Sequence, residues 1–135
     1  MGLTCRHVDA VIAAARRAAE QIGVPMNVAL LDSGANLKAF DRMDLALIGS
    51  IDIAIRKART AALFGMNSEA VGEFCRPGGS SPGLELTNGV LVVFAGGIPL
   101  RAADGTLLGA VGVSGGAVEQ DFEVAQAAAA AAQAL

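Results

Sequence analysis

The sequence has one histidine, two cysteines, no tyrosine and no tryptophan, and its five aromatic residues are all phenylalanine. Few aromatic side chains are available to stack bases, and the ten basic and thirteen acidic residues form no basic cluster. We therefore expect no nucleic-acid partner. Cys5 and Cys75 lack metal-ligand spacing, and a single histidine leaves no ligand set for structural zinc. His7, in the first turn of a predicted helix, is expected to be a solvated surface residue, and no nucleophile motif lies near it, which excludes a Ser-His-Asp hydrolase.

Long apolar runs are also missing. No run approaches the roughly 20 residues that a membrane span needs, and the N-terminal region has charged residues where a signal peptide has an apolar segment. We expect a cytoplasmic protein with no membrane partner. A chain of 135 residues fits one domain, residues 1–135.

The residues that are abundant, mainly alanine, valine, isoleucine and leucine, follow clear periodicities. Apolar residues at helical spacing predict helices over 5–22 and 48–64, a short helix that ends near Phe74, and a closing helix from Val118. Apolar and alternating segments between turn residues predict five strands, at 27–31, 37–42, 90–95, 98–101 and 106–113.

The connections between these elements define a fold class. Turn residues at 32–36 and an Asp-Gly step at 104–105 predict two hairpins, which make the sheet mainly antiparallel. Because no helix separates the last three strands, a doubly wound nucleotide-binding fold is excluded. We predict an α/β (α+β) domain with a five-stranded, mainly antiparallel sheet and helices on both faces.

Two glycine-rich segments are candidates for ligand contact. Ser114, Gly115 and Gly116 follow a strand and precede a helix, where free backbone amides would bind a carboxylate or phosphate; the alternative is a simple sharp turn. Gly96 and Gly97, before Pro99, make either a tight turn or a surface on which a ligand can lie against the backbone.

Three charged residues are the other candidates for a ligand-binding site. Lys57 falls at the flank of the apolar face of its helix, so its ammonium either extends to solvent, binds an anionic ligand, or pairs with Asp32, Asp44 or Glu85. Arg42 ends a predicted strand, Asp44 follows it, and both are candidate ligand-binding residues. The Gly/Pro/Ser-rich segment 76–83 is either a surface connection or a mobile lid over a pocket.

Short sequence segments in a fixed order carry a family resemblance. They are Ala29-Leu30-Leu31-Asp32 with Gly34 and Leu37, Arg42-Met43-Asp44 with Ala46, Ser50-Ile51 with Ala54, Lys57-Ala58-Arg59-Thr60-Ala61 with Phe64, Gly96-Gly97-Ile98-Pro99-Leu100, Asp104-Gly105, Gly109-Ala110-Val111-Gly112-Val113-Ser114-Gly115-Gly116 and Gln120-Asp121. With these segments the chain resembles the GlcG/HbpS family, which also forms the C-terminal domain of PduO-type cobalamin adenosyltransferases.

The resemblance implies a bacterial homo-oligomer with a five-stranded antiparallel sheet between helices, and several such relatives bind haem. Haem iron usually takes a His, Cys, Met or Tyr ligand. The Cys75 thiol is the candidate metal ligand of this chain, and the thioethers of Met43 and Met66 are weaker candidates.

Two functions stay open at this level. The first is a haem-binding or tetrapyrrole-binding module, with the ligand's propionates on Lys57 and the glycine-rich segments. The second is an isomerase, lyase or hydrolase that acts on a small carboxylate held by Arg42 and the amides of 114–116. In that enzyme Lys57, Glu85 or Asp121 would act as acid or base. Both functions require a small anionic molecule as partner.

Overall fold

A computed structural model describes residues 2–135. Along the chain the elements are α1 (Cys5–Ile22), β1 (Asn27–Asp32), β2 (Leu37–Arg42), α2 (Ser50–Phe64), α3 (Ser68–Cys75), a 3-10 turn (Leu84–Leu86), β3 (Gly97–Arg101), β4 (Leu107–Ser114) and α4 (Val118–Gln133). None of the described helices is both long enough and apolar enough to cross a membrane.

Helix α1 shows how the local sequence fixes an element. The Thr4 hydroxyl accepts a hydrogen bond from the His7 amide, and the Thr4 amide donates to His7 Nδ1 at 3.0 Å, which forms a reciprocal capping box. The helix ends at Gly23, whose φ of 69° places it in the left-handed region that glycine tolerates. The expectation of a solvated His7 is wrong, because its ring closes this cap and is only 8% exposed.

The sheet has the order β2-β1-β4-β3, with every neighbouring pair antiparallel. Side chains alternate between its faces, so Val28 and Leu30 pack in the core with α1 and α4, whereas Ala29 and Leu31 pack in the core with α2. The predicted α+β class with helices on both faces is confirmed.

The number of strands is four, not the predicted five. Residues 90–95 form no strand, because the chain enters this segment through left-handed conformations at Asn88, Gly89 and Val90. The backbone carbonyls of this segment are instead bonded by side chains of the helices. The carbonyl of Val92 accepts from Thr60 Oγ1 at 2.9 Å, and that of Phe94 accepts from Ser68 Oγ at 2.7 Å. The segment therefore lies over α2 and α3 rather than in the sheet.

The close contact between α2 and the sheet depends on a residue without a side chain. A Cβ atom at Gly112 would lie 1.9 Å from the Ala54 carbonyl oxygen and 2.6 Å from the Ala58 nitrogen. We predict that Gly112→Ala lowers the free energy of unfolding by more than about 2 kcal/mol, because helix and strand must move apart. Urea denaturation measures this. Gly49→Ala, where nothing lies within 4 Å of the added Cβ, is the control and should be nearly neutral.

The turn between β1 and β2 gives a pH-dependent prediction. Asp32 Oδ1 accepts from the amides of Asn36 and Gly34, each at 2.9 Å, and these bonds hold the pKa of Asp32 below its ordinary value of 3.8. The contribution to stability is fully present above 3.8 and is lost as pH falls through the lower pKa of the folded state. The difference in unfolding free energy between wild type and Asp32→Ala should shrink over that acidic range, whereas Ser33→Ala should run parallel to wild type at every pH.

Candidate functional site

Lys57 lies in the middle of α2 and its side chain is completely buried. Its Nζ donates to the Val113 carbonyl at 2.9 Å and to Asp121 Oδ2 at 2.8 Å, and it lies 5.0 Å from the centroid of the Phe94 ring. An ammonium has three N–H donors, and a phenyl face attracts a cation. The ammonium is therefore surrounded by partners from β4, α4 and the segment before β3.

Asp121 completes this arrangement from the first turn of α4. It is 2% exposed, its Oδ2 binds Lys57, and its Oδ1 accepts from the Gly116 amide at 2.9 Å. The next amide, that of Ala117, donates to Gln120 Oε1. The Gly116 amide, predicted to bind an external anion, thus binds a carboxylate of the chain itself. The same carboxylate is the ion-pair partner of Lys57. The predicted partners Asp32, Asp44 and Glu85 were therefore wrong.

Gly96 and Gly97 allow the chain to cross directly over the lysine. A Cβ at Gly96 would lie 2.7 Å from Lys57 Nζ, and one at Gly97 would lie 2.2 Å from the Lys57 carbonyl oxygen. The Gly97 amide donates to Ser68 Oγ at 2.9 Å, which fixes this crossing. These glycines therefore let the backbone approach Lys57 rather than a ligand.

The electrostatics of the cluster reflect its burial. Desolvation lowers the pKa of Lys57, and the hydrogen bond and charge of Asp121 oppose that shift. A buried charge left alone would be strongly unfavourable, so the pair and its hydrogen bonds act as a unit. Val113 and Gly116 supply the neutral dipoles that complete it.

Phe94 also lines an apolar groove. It consists of two adjoining cavities of about 440 and 270 Å³, which share Glu69, Ala95 and Val118. The larger cavity is also lined by Gly72, Glu73, Cys75, Arg76, Pro77, Glu85, Val93 and Phe94, and the smaller one by Glu119 and Phe122. We call this pair of cavities the groove. Phe94 is common to the groove and the Lys57–Asp121 pair, since its ring lies against Lys57 Nζ and the residue lines the larger cavity.

Some polar atoms of the groove residues have hydrogen-bond partners and others have none. Glu69 Oε1 and Glu85 Oε1 are buried and accept no hydrogen bond from any described residue. Cys75 Sγ lies 3.8 Å from the Val71 carbonyl and 3.7 Å from the Gly72 carbonyl, so its S–H points back into α3. Within residues 2–135 no group of three or more His, Cys, Asp and Glu side chains could hold a metal ion.

The other predicted site residues lie elsewhere. Arg42 and Asp44 line a separate depression of about 250 Å³, and Pro99 lines another of about 310 Å³ between β3 and α4. Arg42 and Ser114 both pair with Asn27, but from opposite sides of β1, so that strand lies between them. The structure thus gathers Lys57, Asp121, Gly96, Gly97 and the segment 114–116, but it separates them from Glu85, Arg42, Asp44 and Pro99.

Several groove residues were missed from the sequence. Phe94, Val118 and Phe122 are apolar residues that any core would accept, so nothing in their pattern distinguished them. Five phenylalanines in 135 residues were the one available signal, since two of them line this groove.

Comparison with known proteins decides the family. The family model described as "Haem degrading protein HbpS-like" matches residues 3–130. The chain belongs to the HbpS-like family. It is 36% identical to GlcG of Escherichia coli over 112 residues, which are 83% of this chain and 81% of GlcG. This confirms the resemblance to GlcG and HbpS and the bacterial character of the relatives.

The chain is also similar to a second protein, PduO, in sequence and in structure. The chain is 39% identical to the corrinoid adenosyltransferase PduO of Salmonella typhimurium over 119 residues, which are 87% of this chain but 35% of PduO. A crystal structure of a PduOC:haem complex superposes with a TM-score of 0.91 at 36% identity, covering 97% of this chain and 95% of that one. A protein with the same fold has therefore been crystallised with haem.

The buried pair gives a prediction for stability. Lys57→Met and Asp121→Asn should each lower the free energy of unfolding by about 3–5 kcal/mol, because each leaves one buried partner unpaired. The double variant should lose less than the sum of the two, since the second substitution removes the group that the first left alone. Chemical denaturation of the four proteins measures this coupling.

A matched cycle at the exposed pair Arg56–Asp52 is the control. Surface pairs couple weakly, so Arg56→Met and Asp52→Asn should be nearly additive. Equal coupling in the two cycles would show that burial of Lys57 adds nothing to the interaction.

Proposed function

We propose that this chain is a small-molecule-binding domain whose site is the groove, and that its ligand is haem or a related tetrapyrrole. The observation that carries the proposal is the apolar floor of the groove, formed by Val93, Phe94, Ala95, Val118 and Phe122. The PduOC:haem complex of the same fold supports the choice of ligand class. Ligand sites of this kind are concave and mostly apolar, with few polar groups.

The groove fits a macrocycle better than it fits iron. Its apolar surface suits a flat porphyrin face, whereas Cys75 is the one lining residue with the chemistry of an axial haem ligand. Bound haem would supply the redox and ligand-exchange chemistry of its iron. The Cys75 thiol would have to turn away from the α3 carbonyls to reach that iron. We therefore propose a loosely held ligand, bound mainly through apolar contact.

Acidic groups of the ligand would need a cation at the edge of the groove. Lys57 was the predicted partner for propionates, but it is 0% exposed and bonded to Asp121. Arg76 lines the groove and is exposed, and its Nε lies 2.5 Å from Glu73 Oε2. An ion pair at the surface is readily exchanged, so Arg76 is our proposed contact for an anionic ligand.

This geometry does not support the alternative function, an enzyme that acts on a small carboxylate. Lys57 and Asp121, its proposed acid and base, line none of the described cavities and bind each other. Glu85 does line the groove, but it lies apart from the Arg42 that would hold the substrate.

Further proposals rest on the length of the chain and on its family. We propose that the chain is a single domain over residues 1–135 and that it forms a homo-oligomer. A cytoplasmic location also stays a prediction.

Filling the groove tests the proposed site. Val118 lines both cavities and is 42% exposed, so Val118→Trp should occupy the space with little effect on folding. In a hemin titration followed at the Soret band, wild type should saturate, and Val118→Trp should bind at least about tenfold more weakly, a loss of ~1.4 kcal/mol.

Leu63→Trp is the matched control, because Leu63 is also 42% exposed but lines none of the described cavities. It should titrate like wild type. Either the absence of a saturable Soret change in wild type or equal binding by Val118→Trp would contradict the proposal. A comparison of Cys75→Ala with Cys5→Ala then reports on the thiol: a ligand held by apolar contact should leave the Soret band of both variants in place, and a shift in Cys75→Ala alone would make the thiol an iron ligand.

A further inference from the structure

The loop between β2 and α2 carries large apolar side chains that contact little of their own chain. Leu45 is 93% exposed, Ile48 is 76% exposed and Leu47 is 61% exposed. Single exposed apolar residues are common on protein surfaces, but three within four residues form a contiguous patch. We call residues 42–48 the β2–α2 loop.

This loop is held in place by its own hydrogen bonds. The Met43 amide donates to the Met26 carbonyl at 3.1 Å, and the side-chain amide of the fully buried Asn27 donates to the Leu47 carbonyl at 2.9 Å. Ala46, between the exposed residues, is buried. The leucines are therefore presented outward by an anchored backbone.

The backbone at Leu45 is strained. Its φ of 68° lies in the left-handed region, which is unfavourable for a residue with a side chain and which glycine adopts readily. A leucine held in this conformation and almost wholly exposed returns nothing to the stability of its own chain. Such a residue is explained by a contact outside the chain.

The charges beside the patch indicate which partner makes that contact. Arg42 and Asp44 are both exposed, they carry opposite charges, and neither forms an ion pair with any residue in 2–135. Arg42 and Asp44 lie side by side next to the patch, since both line the same two depressions. A two-fold axis that passes between two neighbouring opposite charges makes their surface complementary to itself. That rotation brings Arg42 of one copy towards Asp44 of the other.

We propose that the β2–α2 loop is a two-fold contact surface for a second copy of this chain, with Leu45 and Ile48 at its centre and Arg42–Asp44 pairs at its edges. The inference rests on the self-association proposed above and adds the surface that mediates it. It also gives Arg42 and Asp44 a role in assembly rather than in ligand binding.

Sedimentation velocity over a concentration series tests the surface. Wild type should associate, and Leu45→Asp and Ile48→Asp should weaken that association at least tenfold or reduce the mass of the assembly by half. Leu86→Asp is the control, since Leu86 is 72% exposed at a different place and should leave the mass unchanged. Urea denaturation of each variant verifies folding.

A charge exchange tests the orientation. Arg42→Asp and Asp44→Arg should each weaken association, because each places like charges opposite one another, and the double variant should restore it. A wild-type chain that stays monomeric at every concentration overturns both self-association and this surface. Association that survives Leu45→Asp, Ile48→Asp and the single charge variants overturns the surface alone and leaves the patch to a different partner protein.

Discussion

The ion pair between Lys57 and Asp121 is the constraint on which the rest of the structure depends. A charged amine at the centre of α2 can be buried only if a carboxylate and neutral dipoles meet it there. Asp121 must therefore lie in the first turn of α4, and the end of β4 must present the Val113 carbonyl. The two helix layers, on opposite faces of the sheet, are joined by this buried contact at the end of β4.

The same pair explains the glycines around it. Gly96 and Gly97 lie so close to Lys57 that any side chain would collide with its ammonium or its backbone. The Gly116 amide is held by the second oxygen of Asp121. What looks in the sequence like a phosphate-type cradle is thus an internal salt bridge, and the backbone amide that could attract an anion has already bound one.

The sequence predicted what depends on local pattern and missed what depends on tertiary partners. Helix limits agreed to within two residues at α1 and α2, because capping residues and apolar periodicity act locally. The segment 90–95 has the composition of a strand, but its carbonyls are bonded by Thr60 and Ser68, which no local pattern reveals. Lys57 was correctly placed near the buried face, yet its partner lies 64 residues away along the chain.

The family motifs and the groove consist of largely different residues. Lys57, Gly96, Gly97, Gly116 and Asp121 belong to the segments that carry the family resemblance, and they contact one another. The groove is lined mostly by residues outside those segments, among them Cys75, Glu85, Phe94 and Val118. The family motifs therefore specify how this chain folds, whereas in the proposed function the ligand contacts side chains that the motifs do not include. Phe94 is common to the buried pair and the groove, since its ring packs against the Lys57 ammonium and the residue is one of those on the apolar floor of the groove. A ligand on that floor would rest on the most constrained part of the fold, which favours a preformed site over one assembled on binding.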